Sequence, residues 1–292
     1  MKILIVGSSG MLGSHLFKYY SNKKYEVYGI SRTNNNPKLE NNFFQVDFTK
    51  PFFKKELYKI KSIFEPEYVI NVSGLTSLQE CEKDPELANF LNSSVNEYLI
   101  NIFSNSQLIY LSTDSVFDGN SGNYEESNKK SPLNMYAKSK SNGEDLVLDK
   151  STDSIVIRTN IYGRRLFGNG PSIVDWAFKM FKDNKDFDGY VDYFFNPLHL
   201  SQVEKAIETI MLNNFENRLF HLGCEEQLSK YEFLKLLKKN FFPNESTINR
   251  TSNEIPKDGI LRPKNTTLNY NKFKEEFGVK FTLFDGINNI IK

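Results

Sequence analysis

Lys2-Ile3-Leu4-Ile5-Val6-Gly7-Ser8-Ser9-Gly10-Met11-Leu12-Gly13 opens the chain and decides its fold. A short apolar run passes directly into a glycine-rich turn, and residues of helical period follow, which is the start of a βαβ unit. Glycine at position 7 gives a tight strand-to-helix turn the backbone angles that other residues avoid, and the next glycine lets a ligand approach the backbone closely. Gly13 lets the helix pack onto the strand. The first turn of the helix offers N–H groups without intrahelical partners and a partial positive charge, both suited to phosphate. Gly7, Ser9, Gly10, Met11, Leu12 and Gly13 are therefore the candidate contacts of a dinucleotide pyrophosphate.

Working outward, short apolar runs alternate with helical segments. The pattern predicts strands over 2–6, 26–30, 43–46, 68–71, 107–111 and 154–157, and helices over 11–21, 53–64, 85–105 and 132–148. Such alternation implies an α/β fold, a Rossmann-like doubly wound parallel sheet joined by right-handed crossovers. The polar stretch 34–42 reads as a surface loop. After Arg158 the regularity loosens into aromatic, Pro- and Asn-rich pieces, with capping boxes expected at Ser201–Glu204 and Ser229–Glu232. Residues 1–160 are expected to form the cofactor-binding domain, with elements returning around 190–225. Residues 161–292 are expected to form mainly a smaller, interleaved α/β lobe that binds the substrate.

The second strand ends in Ser31-Arg32, with no carboxylate there to hold a ribose 2′-hydroxyl. A hydroxyl followed by a guanidinium suits a 2′-phosphate instead, which favours NADP(H) and leaves NAD(H) use open. Asp47, followed by Phe48, closes the third strand where an adenine would lie; a loop-capping role fits Asp47 nearly as well.

The chain has 292 residues, 39 % of them hydrophobic, a formal net charge of +1 and two cysteines far apart. The length suits one large domain with a smaller lobe, and the charge gives no field for nucleic acid or a membrane surface. The apolar start is too short for a signal peptide or a span, and no later run approaches 18 apolar residues. A cytoplasmic protein with reduced thiols is expected. His15, His199 and His221 lack metal-ligand spacing, and no metal is expected. Paired phenylalanines such as Phe194-Phe195 and Phe241-Phe242 are read as packing.

Tyr136-Ala137-Lys138-Ser139-Lys140 places a phenol and an ammonium on one helical face. A lysine beside a phenol lowers its pKa and can also hold a nicotinamide ribose. Upstream, the fifth strand ends in Ser112-Thr113-Asp114 at the carboxyl edge, where open parallel sheets bind ligands. The Thr113 hydroxyl there can polarise a carbonyl against Tyr136. Glycine turn, strand-end hydroxyl and Tyr/Lys helix occur in the order required for hydride transfer from NADPH to a ketone, with Tyr136 as proton donor.

With these residues in place, the sequence resembles the dTDP-4-dehydrorhamnose reductase group of the extended short-chain dehydrogenase/reductases. The resemblance is carried by the Gly7–Gly13 turn, Asn71-Val72-Ser73-Gly74-Leu75-Thr76, Ser112-Thr113-Asp114-Ser115-Val116-Phe117-Asp118-Gly119, and Pro132-Leu133-Asn134-Met135-Tyr136-Ala137-Lys138-Ser139-Lys140. Arg158-Thr159-Asn160-Ile161-Tyr162-Gly163, Arg262-Pro263 and Leu268 continue it over nearly the whole chain. It implies catalytic roles for Thr113, Tyr136 and Lys140, and a cofactor loop at Val72, Ser73 and Gly74. It implies substrate contacts at Thr76, Asp114, Ser115, Asn160, Ile161 and Arg262. Three positions depart from the group: Ser115 replaces the usual tyrosine, Ile161 the usual tryptophan and Ala137 the usual glycine. The first two lie where such enzymes meet the sugar, and losing an aromatic wall points to another 4-keto sugar. The expected activity is NADPH-dependent reduction of a 4-keto, 6-deoxy nucleotide sugar for cell-surface polysaccharide. A non-catalytic NADP-binding regulatory subunit and a nucleotide-sugar epimerase are the alternatives, and a homodimer is compatible with either.

Overall fold

The computed structural model describes residues 1–34, 42–167, 170, 172–213, 218–244, 246–252, 256 and 258–291. The expected loop at 34–42 therefore falls almost wholly outside the described residues. Strands β1 (Lys2–Val6), β2 (Glu26–Ser31), β3 (Phe43–Gln45), β4 (Tyr68–Asn71), β5 (Gln107–Thr113) and β6 (Ile155–Thr159) join with Leu219–Leu222 in one sheet. Its seven strands are all parallel and run in the order Leu219–Leu222, β6, β5, β4, β1, β2, β3. The doubly wound α/β fold expected from the sequence is the fold observed.

Helices α1 (Met11–Asn22), α2 (Phe53–Ile63), α3 (Leu78–Lys83), α4 (Pro85–Asn89), α5 (Val95–Ile102) and α6 (Met135–Lys150) fill the crossovers. Alternate strand residues serve opposite faces. Ile3, Ile5, Ile109, Ile155 and Ile157 pack with Leu12, Leu16 and Phe17 of α1, while Leu4, Val6, Leu108 and Val156 pack with Leu57 of α2, Leu99 of α5 and Val147 of α6. The first of these cores continues into α7 (Ile173–Lys182), α8 (Leu200–Leu212) and α9 (Lys230–Phe241). In the lobe Phe187–Tyr190 pairs with Ile248–Thr251, and Phe194–Phe195 with Leu228–Ser229. Phe241 and Phe242 pack as expected, 5.2 and 5.1 Å from Phe178; of the other pair Phe195 is buried, whereas Phe194 is exposed.

Two elements depart from the sequence reading. The single helix expected over 85–105 is interrupted by a π-helical turn at Phe90–Ser94. There the Tyr110 hydroxyl donates to Asn92 O at 2.5 Å and Asn96 Nδ2 donates to Ser93 O at 3.1 Å, bonds that compete with the regular helical ladder. The capping box expected at Ser201 starts earlier. His199 caps α8, with Nδ1 accepting from Ser201 N at 3.3 Å and Gln202 Oε1 accepting from His199 N at 2.9 Å. Glu204 is turned instead toward His15, 3.6 Å away. The box at Ser229 and Glu232 forms as expected.

A buried ion pair fixes α6 on the sheet. Arg158 Nη2 meets Glu144 Oε2 at 2.8 Å, with side chains 3 % and 0 % exposed. Ser112 donates to Glu144 at 2.5 Å, Lys130 lies 3.3 Å from it, and His221 Nε2 is 3.1 Å from Arg158 Nη1. Burial, aided by the Arg158 charge, pushes the pKa of His221 down to about 3, so it sits neutral against the guanidinium. Removing one partner of such a pair strands the other charge. Glu144→Ala should therefore lose about 3–5 kcal/mol in urea unfolding, whereas a loss below about 1 kcal/mol, the scale of a surface pair, would show that the network does not anchor α6.

Candidate active site

Because the strands are parallel, β1, β2, β4, β5 and β6 all end on one edge, and the expected site residues sit in the turns that follow. Gly7 has φ +91° and donates its N–H to Ile30 O at 2.8 Å. A Cβ at Gly7 would lie 2.8 Å from Ser73 backbone atoms, and one at Gly13 would collide with Gly7 O. The turn thus allows no side chain at either position. Gly10 caps α1 without a side-chain hydrogen bond, so the first-turn N–H groups point outward unclaimed by a cap. Ser8 Oγ is buried with no hydrogen-bond partner among the described residues. A cradle of this form fits a pyrophosphate.

Ser31, Arg32, Asp47 and Phe48 lie at the ends of β2 and β3, to one side of this cradle. Ser31 Oγ donates to Thr33 O at 3.0 Å, and Arg32 is exposed. Asp47 accepts from Thr49 N and Oγ1 at 3.0 and 2.7 Å. Burial works to raise its pKa, but these bonds and the charge of Arg32 hold it below the usual value. Asp47 thus does cap its loop. Phe48 is buried against Phe53, with centroids 5.7 Å apart.

On the other side, Val72 N donates to Val6 O at 3.0 Å and Ser73 is held by Asn71 Oδ1 through its N–H and Oγ, at 3.0 and 2.7 Å. Gly74 backs onto Asn92 so closely that a Cβ would strike its amide oxygen. Asn92 Oδ1 accepts from Leu75 N at 2.8 Å, and its Nδ2 donates to Leu75 O at 3.0 Å and Ser139 Oγ at 2.8 Å. Asn92 therefore ties the loop under the cofactor cradle to the helix carrying Tyr136, a role the sequence reading missed. Three weak helix formers in a row, Asn92-Ser93-Ser94, were the signal available. Thr76 is exposed beside the Ser77 cap of α3.

Thr113, Asp114, Ser115, Asn160 and Tyr136 do converge. Asp114 is 2 % exposed. Its Oδ1 accepts from Thr113 Oγ1 at 3.1 Å and Ser115 Oγ at 3.2 Å, and its Oδ2 from Asn160 Nδ2 at 2.9 Å and Thr266 Oγ1 at 2.5 Å. Thr266 was not foreseen; it arrives from the far end of the chain. Asn134 caps α6 by accepting from Ala137 N at 2.9 Å, so the helix starts at Met135 and holds Tyr136 in its first turn. Burial raises the Tyr136 pKa to about 12, and the hydrogen bond with Thr113 lowers it only in part. Lys140 is not among the groups that move it, so the lowering expected from the lysine is not found. Lys140 Nζ donates to Leu111 O at 2.6 Å and lies 4.0 Å above the Tyr110 ring; burial pulls its pKa down to about 7.

Ile161 is half-buried and pairs with Leu198 in a short parallel ladder. Arg262 stands apart, its fork closed on Asp258 at 2.8 and 2.6 Å. Asp258 also accepts from Gln79 of α3 at 2.9 Å, and its pKa is held well below the usual carboxylate range, first by Arg262.

A parallel sheet with a glycine cradle and a Tyr/Lys helix at its carboxyl edge defines the extended short-chain dehydrogenase/reductase class. Over residues 1–291 the chain matches the family described as the RmlD substrate binding domain, and it belongs to that family. It is 28 % identical to dTDP-4-dehydrorhamnose reductase of Aggregatibacter actinomycetemcomitans, across 96 % of this chain and 94 % of the relative. It is 27 % identical to methionine adenosyltransferase 2 subunit beta of Rattus norvegicus, across 94 % and 81 %. The fold matches a crystal structure of dTDP-4-dehydrorhamnose reductase from Bacillus anthracis in complex with NADP, with TM-score 0.83, 21 % identity and coverage of 100 % and 98 %.

Lys140 titrates near 7 in the folded protein against 10.5 as its ordinary value. Between these the unfolded chain binds a proton at this position that the folded chain lacks, so the contribution of Lys140 to stability rises with pH across that window. The melting temperature of the protein without cofactor should climb from about pH 7 toward about pH 9, below the range in which the buried thiols of Cys81 and Cys224 work in the opposite sense, and Lys140→Met should flatten that climb. An identical slope in the variant would remove the assignment.

Proposed function

We propose that the protein is an NADPH-dependent reductase of a 4-keto, 6-deoxy nucleotide sugar, acting in the cytoplasm in cell-surface polysaccharide biosynthesis. The observation that carries this reading is the convergence of Thr113, Tyr136 and Lys140 beside the glycine cradle. The relative from Aggregatibacter supports the sugar class. Gly7, Ser9, Gly10, Met11, Leu12 and Gly13 would hold the pyrophosphate, and Ser31 and Arg32 the 2′-phosphate. Asp47 and Phe48 would flank the adenine, and Val72, Ser73 and Gly74 would lie beneath the nicotinamide half. The bound nicotinamide supplies the hydride. Residues 1–160 are assigned to the cofactor and 161–292 mainly to the substrate, and a homodimer is the proposed assembly.

The chain's own residues do the rest. With its pKa raised, Tyr136 is protonated at neutral pH, the form required to donate to a ketone oxygen. Thr113 would turn its hydroxyl proton from Asp114 to that oxygen and so orient it. Lys140 stands ready to stabilise the phenolate that remains and to hold the nicotinamide ribose. Asp114, Ser115, Asn160, Ile161 and Thr76 would line the sugar, with Arg262 toward the nucleotide end.

A second reading, a non-catalytic subunit that binds NADP and a partner protein, has the similarity to methionine adenosyltransferase 2 subunit beta in its favour. The two are separated by turnover. Tyr136→Phe should abolish reduction in a panel of nucleotide-4-keto-sugars while leaving NADPH affinity nearly unchanged, because only the proton donor is deleted. Tight NADPH binding with no turnover of any sugar by the wild type would favour the regulatory subunit.

The cofactor preference has its own test. A lost charge-assisted phosphate contact costs about 1.5–3 kcal/mol, so Arg32→Ala should weaken NADPH by roughly tenfold or more. NADH should change far less, and equal losses for both would reject the 2′-phosphate contact.

A further inference from the structure

The lobe brings a cation within electrostatic reach of Asp114 that the reading above does not use. Lys230 opens α9, and its backbone N–H donates to Tyr193 O at 2.9 Å. On the other edge of the same short strand, Thr266 N donates to Phe194 O at 3.0 Å, and the Thr266 hydroxyl reaches Asp114. One thin layer of lobe backbone therefore delivers both Thr266 and Lys230 toward the carboxyl end of β5. Lys230 Nζ lies 3.2 Å from the centre of the Phe195 ring, and its charge interacts with Asp114.

Among the described residues the Lys230 ammonium makes no hydrogen bond and no ion pair. Asp114 does not serve as its partner, because both carboxylate oxygens are filled by Thr113, Ser115, Asn160 and Thr266. Burial pulls the Lys230 pKa down to about 8, with Asp114 opposing. An ammonium carries three donors, and an aromatic face compensates their loss of water only in part. The first turn of a helix is also the end where the macrodipole opposes a positive charge. Glu232 closes the cap on Ser229 at 2.7 and 2.9 Å, which satisfies the helix end and leaves the ammonium untouched. Packing alone would favour methionine or leucine here.

We infer that Lys230 reads the sugar: resting on the reductase proposal, its ammonium donates to a neutral oxygen acceptor, a ring hydroxyl or an amide carbonyl, on the hexose held at Thr113 and Tyr136. A neutral acceptor fits better than a carboxylate, because Asp114 lies within electrostatic reach and would repel a second anion. This donor also offsets the aromatic surface missing at Ser115 and Ile161, exchanging a wall for a directed contact.

The test compares wild type, Lys230→Met and Lys230→Arg, each loaded with NADP. Calorimetry is run with dTDP and UDP alone, then with dTDP-glucose, UDP-N-acetylglucosamine and UDP-glucuronic acid, and turnover is measured with the 4-keto forms of the two neutral sugars. Lys230→Met should bind the nucleoside diphosphates as the wild type does and lose about tenfold or more for the preferred neutral sugar, the size of one hydrogen bond to a charged group. Lys230→Arg should recover part of that loss. The melting temperature of Lys230→Met should equal or exceed that of the wild type, which a merely structural lysine would not allow. Preference for the acetamido sugar identifies an amide acceptor, and preference for dTDP-glucose a hydroxyl. Tightest binding of UDP-glucuronic acid overturns the neutral acceptor. Unchanged sugar affinity in Lys230→Met, with wild-type turnover intact, overturns the role of Lys230 and leaves the reductase standing. A wild type that reduces no sugar, yet loses sugar affinity in Lys230→Met, keeps the contact and removes the reductase.

Discussion

A buried carboxylate must find donors for its oxygens, and Asp114 finds four of them in three separate parts of the chain. Thr113 and Ser115 are its neighbours, Asn160 comes from the end of β6, and Thr266 comes from the lobe. An unpaired charge at this depth would cost several kcal/mol, so Asp114 helps to hold sheet edge and lobe in one register. The same bonds fix the hydroxyl next to it. Thr113 Oγ1 is held between Asp114 Oδ1 at 3.1 Å and Ser115 N at 3.2 Å, and the same hydroxyl hydrogen-bonds Tyr136. The phenol is thus reached by a chain of bonds that begins at Asp114.

The helix that carries the phenol is anchored independently. Glu144 lies one turn beyond Lys140 and is locked by Arg158, Ser112 and Lys130, so the lower part of α6 cannot slide along the sheet. Its upper part is clamped by Asn92 through Ser139. The same Asn92 carries the loop around Gly74, which makes the distance between cofactor loop and reaction centre a property of one amide. A 1 Å error at such a junction is enough to spoil hydride and proton geometry. The π-helical turn at Phe90–Ser94 follows from this requirement, since a regular helix would direct Asn92 elsewhere.

Features set by local chemistry were legible in the sequence. The turn at Gly7–Gly13 needs only its neighbours, the strands announce themselves by apolar runs, and the Tyr136/Lys140 spacing follows from helical period. Three of the four donors to Asp114, namely Thr113, Ser115 and Asn160, were legible as site residues, though not as its partners. Thr266 was not, because nothing within its own neighbourhood asks for a carboxylate. Asn92 was hidden for the same reason: its partners Leu75 and Ser139 are 17 and 47 residues away. The start of α8 was misread because Ser201 looks like a better cap than His199. What decides the matter is Gln202, which closes on His199 N, while Glu204 is drawn to His15. The pKa of Tyr136 was misjudged in the same way, since burial is a tertiary property and sets the direction of the shift.

These anchors separate chemistry from choice of sugar. The groups that handle the ketone lie together at the sheet edge, and the hydrogen bonds that hold them need no aromatic side chain at the positions that would wall the hexose. Ser115 serves Asp114 through its small hydroxyl and Thr113 through its backbone N–H, and Ile161 contributes through a backbone ladder to Leu198. Neither task needs the aromatic ring that the family resemblance leads one to expect at these places. Side chains there can change size while Thr113, Tyr136 and Lys140 stay put. The lobe is joined to the edge by Thr266 and, beside it, by backbone bonds that link Asn265, Thr267 and Asn269 to Gly119 and Tyr124, and a substitution at the head of α9 leaves all of these in place. On the proposed reading the choice of sugar rests in part on what the lobe presents toward Asp114, and in this chain that is an ammonium lying on the face of Phe195.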